Sequence, residues 1–265
     1  MSPNPLLPLI QVVIHWVLWF IPIWLVIAAL KGLFSARLKG AAGERAVGRV
    51  LDRLGKAALH DIILPDGRGG LTQIDHLVLT QAGLLVVETK NYAGQVLGQT
   101  QDAKWTQRLG QQSFTFQNPL RQNYLHLQAL KALAPKAPIQ GRVVFTDAAR
   151  FPEGVPEGVS TLSTLKTDLN AWLKERGNAA ELQSVWARIK ASARTDRATR
   201  KARLAAIHAR HGQDWRRPVA LGLLAVAGIW IVILLVMSGQ RAGLGLFDIR
   251  SGQEGGSSHV ARPVR

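Results

Sequence analysis

Two stretches without a charged side chain, residues 6–30 and 218–237, constrain this chain more than any other feature. In a bilayer the backbone must satisfy its own hydrogen bonds, so an apolar run of that length is expected to be a helix. The first run covers 25 residues, about 37 Å of helix at 1.5 Å per residue, enough to span with some tilt. Residues 1–30 hold no Asp, Glu, Lys or Arg. They therefore lack the basic leader of a signal peptide, and the run is too long for its apolar segment. A retained anchor is the preferred reading over a cleaved signal. Pro22 would kink this helix, which membrane helices tolerate. Gln11 and His15, one turn apart, read as a polar stripe packed on another helix. The second run has 20 residues, and its Gly222 and Gly228 are six apart, so it carries no GxxxG dimer motif.

The charges set an expected topology. Lys31, Arg37 and Lys39 follow the first run, and Arg216 and Arg217 precede the second. Basic flanks stay in the cytoplasm. Residues 31–217 are thus expected to be cytoplasmic in a two-span protein of the inner (plasma) membrane, with both termini outside. The whole chain carries 33 Lys and Arg against 17 Asp and Glu. Residues 31–217 hold 29 of the former and 15 of the latter, a net +14. Such a surface attracts phosphate polymers or anionic headgroups. Ten of those basic residues fall within 188–217, read as a basic helix running toward the membrane, against headgroups or nucleic acid. The Gly/Ser-rich tail 238–265 reads as disordered. The absence of cysteine excludes disulfides, Cys-ligated zinc and thiol catalysis.

Between the spans, one stretch carries the chemistry. Gln73-Ile74-Asp75-His76-Leu77-Val78-Leu79 and Leu84-Leu85-Val86-Val87-Glu88-Thr89-Lys90 flank a short loop ending in Gly83. This is a β-hairpin pattern. Pairing Leu79 with Leu84 sets Asp75 opposite Glu88, with Asp75, Leu77 and Leu79 on one face and Glu88 and Lys90 on a common face. Opposed like charges destabilise a sheet unless a cation bridges them. Two carboxylates suit Mg²⁺, which takes oxygen ligands and keeps waters and phosphates in its other positions. Lys90 could orient or deprotonate a water, or stabilise charge on a phosphate. By the blander reading Asp75 ends a strand and Lys90 is a solvated charge.

The surrounding sequence reads as an α/β domain. Residues 40–54 have helical spacing, with Glu44 in the first turn, where the helix dipole alone would favour it. Residues 59–64 form a first strand, and short strands are expected at 95–97, around Trp105 and at 113–116. Asn118 caps a helix with Pro119 at its first position. Gln122 and His126 lie one turn apart on that helix and, taken alone, read as a solvated pair. A buried strand follows at 142–146.

Taken together, Gly43-Glu44-Arg45, Gln73-Ile74-Asp75-His76 and Val86-Val87-Glu88-Thr89-Lys90-Asn91 resemble a nuclease-related domain, the NERD domain of the PD-(D/E)xK nuclease superfamily. Trp105, Asn118-Pro119, Gln122-Asn123 and His126 fit the same pattern in the same order. The resemblance covers residues 40–146, with Ile74 in place of the proline of the superfamily's name. It implies a restriction-endonuclease-like mixed sheet flanked by helices, here with two transmembrane helices. It implies that Asp75 and Glu88 bind the metal, that Lys90 acts on the water, that Glu44 completes the carboxylate set, and that Gln122 stands near the site. The expected organisation is a membrane helix over 1–30, a NERD-like domain over 31–180, a basic helix over 181–217, a second membrane helix over 218–237 and the tail. The expected function is a Mg²⁺-dependent nuclease acting on DNA at the cytoplasmic face. The alternatives are an inactive membrane-tethered DNA-binding or scaffold module, and a lipid-surface protein that would leave the acidic cluster unexplained.

The topology is testable directly. Reporter fusions at residue 120 should read as cytoplasmic and fusions at residue 250 as external. A cytoplasmic reading at 250 would overturn the two-span arrangement.

Overall fold

A computed structural model describes residues 6–202, 205 and 216–251. The chain divides into two units, 36–213 and 1–35 with 214–265.

The first unit begins within helix α1 (Leu7–Leu51) and continues through strands β1 (Ala57–Pro65), β2 (Leu71–Leu79) and β3 (Leu84–Lys90). Next come β4 (Gly94–Leu97), β5 (Lys104–Leu109) and β6 (Gln112–Gln117), then helix α2 (Pro119–Leu133). The remainder is β7 (Ile139–Phe145), β8 (Ala149–Arg150), β9 (Val159–Thr161), α3 (Leu165–Asp168), α4 (Asn170–Leu173) and α5 (Ala179–Ser192). Two mixed sheets result, in the orders β1-β2-β3-β7-β9 and β6-β5-β4-β8. The expected α/β fold with a mixed sheet flanked by helices is the one observed.

The hairpin forms in the register read from its loop: Leu79 pairs with Leu84 and His76 with Val87. β3 then pairs in parallel with β7, Glu88 beside Val143 and Lys90 beside Phe145. Both strands end together, and the chain passes from each into the second sheet, where Gly94 of β4 pairs with Ala149 of β8. That sheet docks through Trp105, whose ring stacks on Phe145 at 6.3 Å.

Each face of the five-stranded sheet has its own core. On one side Leu77, Leu79, Leu84 and Val86 pack with Leu130 and Ala134 of α2 and with Leu182, Trp186 and Ile189 of α5. On the other, Val78, Leu85, Val87 and Val144 pack with Val47 and Leu51 of α1 and with Leu165 and Leu169. Burial of apolar area at roughly 25 cal/mol per Å² drives both.

Two expectations change in this unit. Glu44 does not open a helix but lies within α1, so no helix N-terminus accounts for it. Gly43 allows a close approach beside it: a Cβ there would stand 2.5 Å from Cβ of Asn91. The basic segment is also not one helix. α5 ends at Ser192, and Arg194 makes an isolated antiparallel bridge to Ile63. The chain turns helical again over 197–202, where the Asp196 side chain accepts the N–H of Thr199 at 2.8 Å. The rest of that segment, 203–204 and 206–215, lies outside the described residues.

The second unit holds the start of α1 and helix α6 (Arg216–Ser251). The stretches Val12–Phe34 and Pro218–Ser238 are long and apolar enough to cross a membrane, by length and composition. Their side chains include the exposed Trp16, Trp24, Leu221 and Ile229. The Trp230 indole donates to the Leu18 carbonyl at 3.2 Å. The helix includes residues 238–251 of the segment expected to be disordered. The rest of that tail, 252–265, lies outside the described residues, as do the Gln11 and His15 side chains.

Asn118 ties the second sheet to α2. Its Oδ1 accepts the Leu120 N–H at 2.9 Å, and its Nδ2 donates to the carbonyls of Thr100 at 3.0 Å and Asp102 at 2.8 Å. Asn118→Ala removes a cap and two further hydrogen bonds that the buried Asn118 side chain makes to backbone carbonyls. It should cost about 2–4 kcal/mol in urea denaturation, against about 1 for a cap alone. A loss no larger than that of a simple cap would show that the carbonyl contacts contribute nothing.

Candidate functional site

Glu88 sits at the centre, on β3 and 2% exposed. A charge so buried needs partners, and Glu88 has two. Lys90, two residues along the same strand face, donates to its Oε1 at 2.7 Å. His126 on α2 stands 3.2 Å from its Oε2 through Nε2. A carboxylate only accepts, so Nε2 carries the proton, and in a neutral ring Nδ1 accepts from the Thr72 hydroxyl at 2.7 Å. Gln122, one turn before His126, accepts from the Lys90 ammonium at 3.0 Å. The pair that read as solvated thus faces the carboxylate and the lysine, and it does so because α2 packs against β3. Burial by itself would raise the Glu88 pKa, but the hydrogen bond from His126 and the charge of Lys90 outweigh it and hold the group below its ordinary range. Burial likewise opposes the Lys90 charge, yet Glu88 more than offsets this, and the lysine pKa rises.

Asp75 is placed differently from expectation. The β2–β3 pairs stop at His76 and Val87, so Asp75 and Glu88 are not ladder partners. Instead the Asp75 carboxylate accepts the Thr89 N–H at 2.9 Å. Nor does Asp75 share the surroundings of Leu77 and Leu79. Those two enter the core beneath α2, whereas Asp75 lines a cleft of about 630 Å³ together with Glu44, Arg45 and Arg49 of α1 and with Asp61 and His76. Simple alternation fails because the strand pair is interrupted at this point. His60 pairs with His76 and Ile62 with Ile74, while Asp61 and Asp75 between them do not pair. Asp61 has φ of 52°, in the left-handed region. Nothing in the local sequence signals this interruption.

The cleft gathers acidic groups. Burial first, then the nearby Glu88 and Glu44 charges, push Asp75 up to about 8 from its ordinary 3.8, against the opposing Thr89 hydrogen bond. Burial, Asp61 and Glu88 also raise Glu44. His76 is buried against His60, with their Nδ1 atoms 2.7 Å apart. Burial and then His60 lower it to about 4.

Oxygen-rich, mutually repelling carboxylates fit a hard divalent cation. Among the described residues no group of three His, Cys, Asp or Glu side chains is arranged to hold an ion. Mg²⁺ requires less, since one or two carboxylates suffice when waters and phosphates fill the other positions. Each Glu88 oxygen already takes one hydrogen bond and retains a further lone pair.

Residues 39–146 match the family model of the nuclease-related domain, NERD. An uncharacterized protein of Bacillus anthracis is 43% identical over 98 residues, which cover 36% of this chain and 46% of that protein. The chain thus spans less than half the length of this relative. No solved structure matches the chain.

The raised Asp75 value has a consequence for stability. The native state retains a proton that the unfolded chain releases above about 3.8. The resulting stabilisation is complete below that pH and is lost as pH rises through about 8. His76 acts with the opposite sign below its ordinary 6.5, so the informative window lies above that. In metal-free buffer, melting temperature should fall by several degrees between about pH 6.5 and 8.5 in the parent and stay nearly level in Asp75→Asn. Equal slopes would assign the proton to another group.

Proposed function

We propose that this chain is a membrane-anchored nuclease that hydrolyses phosphodiester bonds, most readily of DNA, with Mg²⁺ held by Asp75 and Glu88. The observation that carries this is the buried Glu88–Lys90 pair beside Asp75 and Glu44, in a domain related to nucleases. A structural core gains nothing from concentrating carboxylates where Glu88 raises the pKa of both Asp75 and Glu44. A site for a divalent ion does, because the ion reverses the sign of the interaction.

Bound there, Mg²⁺ would supply positive charge against the phosphate oxygens and acidify a water. The chain's own groups do the rest. Asp75 and Glu88 offer oxygen ligands from two strands. Glu44 adds a third negative group at the cleft and draws the cation toward it. Lys90 keeps its proton, since Glu88 raises its pKa. It therefore acts as a donor that orients the attacking water and stabilises charge on the phosphate, and not as a base. Gln122 fixes the ammonium from the α2 side, leaving one of its three N–H groups for substrate. Arg45 and Arg49 line the cleft and offer charge to flanking phosphates. The two apolar helices would tether the domain to the membrane, with 31–217 on the cytoplasmic face, the side that the basic flanks favour.

The test uses the full chain in detergent micelles with supercoiled plasmid and, in parallel, single-stranded RNA. Cleavage should need Mg²⁺ and vanish with EDTA. Glu88→Ala and Asp75→Ala should each lower the rate by at least about 10²-fold and weaken metal binding. Lys90→Ala should lose rate to a similar extent while leaving metal affinity within a few-fold. Unchanged cleavage in Glu88→Ala would refute the assignment. DNA binding without metal-dependent cleavage, indifferent to Glu88, would identify a tethered binding module.

A further inference from the structure

We propose that Asp61, held in a left-handed backbone conformation by Arg200, is the positioning residue that turns Asp75 into the cleft. The functional meaning of this rests on the proposed metal site, but the geometry stands apart from it.

Strand pairing on both sides of Asp61 keeps one offset, His60 with His76 and Ile62 with Ile74. Yet residues three apart end up in the same core: Leu59 with Ile62 on β1, and Ile74 with Leu77 on β2. In an uninterrupted strand such residues face opposite sides. Both strands therefore change phase at one point, the unpaired couple Asp61 and Asp75. The change frees Asp75 from the apolar face it would otherwise share with Leu77. Asp61 is the non-glycine residue with positive φ among the described residues. Aspartate tolerates that region better than most side chains, and branched residues hardly adopt it.

The conformation is braced from outside the strand pair. Arg200 reaches Asp61 twice, through its carboxylate and, at 3.3 Å, through its backbone carbonyl. Gln73 donates to the other carboxylate oxygen at 2.7 Å. Arg200 is in turn placed by the segment before it, where Arg194 exchanges two 3.0 Å backbone hydrogen bonds with Ile63 along β1. Asp196 begins the following turn. Arg194 and Arg200 lie well beyond residue 146, where the family match ends. A segment outside the matched domain thus sets the aim of one of its carboxylates.

The test again uses the full chain in micelles, with two readouts. Hydrogen exchange at the Thr89 amide, bonded to the Asp75 carboxylate, reports the aim of Asp75 without metal or activity. Mn²⁺ affinity by electron paramagnetic resonance reports the site. Asp61→Val should speed Thr89 exchange relative to the neighbouring Val87 amide by roughly tenfold or more, and weaken Mn²⁺ to a similar extent, because a branched residue resists this conformation. Asp61→Gly, free to adopt it, should stay within about threefold of the parent on both readouts. Arg200→Ala leaves residue 61 unchanged and should speed Thr89 exchange by about threefold or more, so it decides the matter if Asp61→Val does not fold. Parent-like Thr89 exchange in Arg200→Ala, or equal damage in Asp61→Gly and Asp61→Val, would overturn the proposal. If the parent binds no Mn²⁺, the nuclease reading fails, while Thr89 exchange still decides the brace.

Discussion

A carboxylate buried to the extent of Glu88 has to be paired, and the pairing organises everything around it. Lys90 takes one oxygen and His126 the other. Removing Lys90 would leave the carboxylate without its countercharge in a poor dielectric, a loss of several kcal/mol in comparable cases. The requirement fixes the seat of α2, because His126 and Gln122 must face β3 together. It also explains why Asn118 is so heavily bonded. The cap that starts α2 determines where those two side chains arrive one turn and two turns later.

Around this pair the sheet is built so that two strands end at one place. β3 and β7 are parallel, and both continue into the second sheet. The aromatic packing of Trp105, Phe116 and Tyr92 about Phe145 keeps the two sheets together just past Lys90. The acidic groups meet at the same end, with Glu44 brought in by α1. Gly43 allows that approach: Asn91, directly after Lys90, packs where a side chain would be and donates to the Lys39 carbonyl at 2.6 Å.

The hairpin shows how far a local pattern reaches. Its register and the common face of Glu88 and Lys90 follow from loop length and alternation, and both appear as read. The opposition of Asp75 to Glu88 follows from the same rules carried one residue past the last pair, His76 with Val87, and there they fail. Alternation assumes uninterrupted pairing with both neighbours, and β1 breaks its side at Asp61. That residue is an ordinary aspartate in a strand that is otherwise apolar but for His60. Its conformation is set by an arginine 139 residues away, which no window of the sequence can contain.

The sequence by itself determined several elements: the two apolar stretches, the hairpin, the capped start of α2 and the strands on either side. These depend on periodicity, turn chemistry and charge, each expressed within a few residues. It also carried the motif order by which residues 39–146 match the family model of the nuclease-related domain. The tertiary structure decided which polar side chains meet. His126 reaches Glu88 across 38 residues of chain, Gln122 reaches Lys90 across 32, and Asp75 turns to the cleft only because β1 is interrupted beside it. The physical reason is that burial selects these partners. A polar group's need for a partner is written in its type, but the identity of that partner is settled by which surfaces the apolar cores bring together.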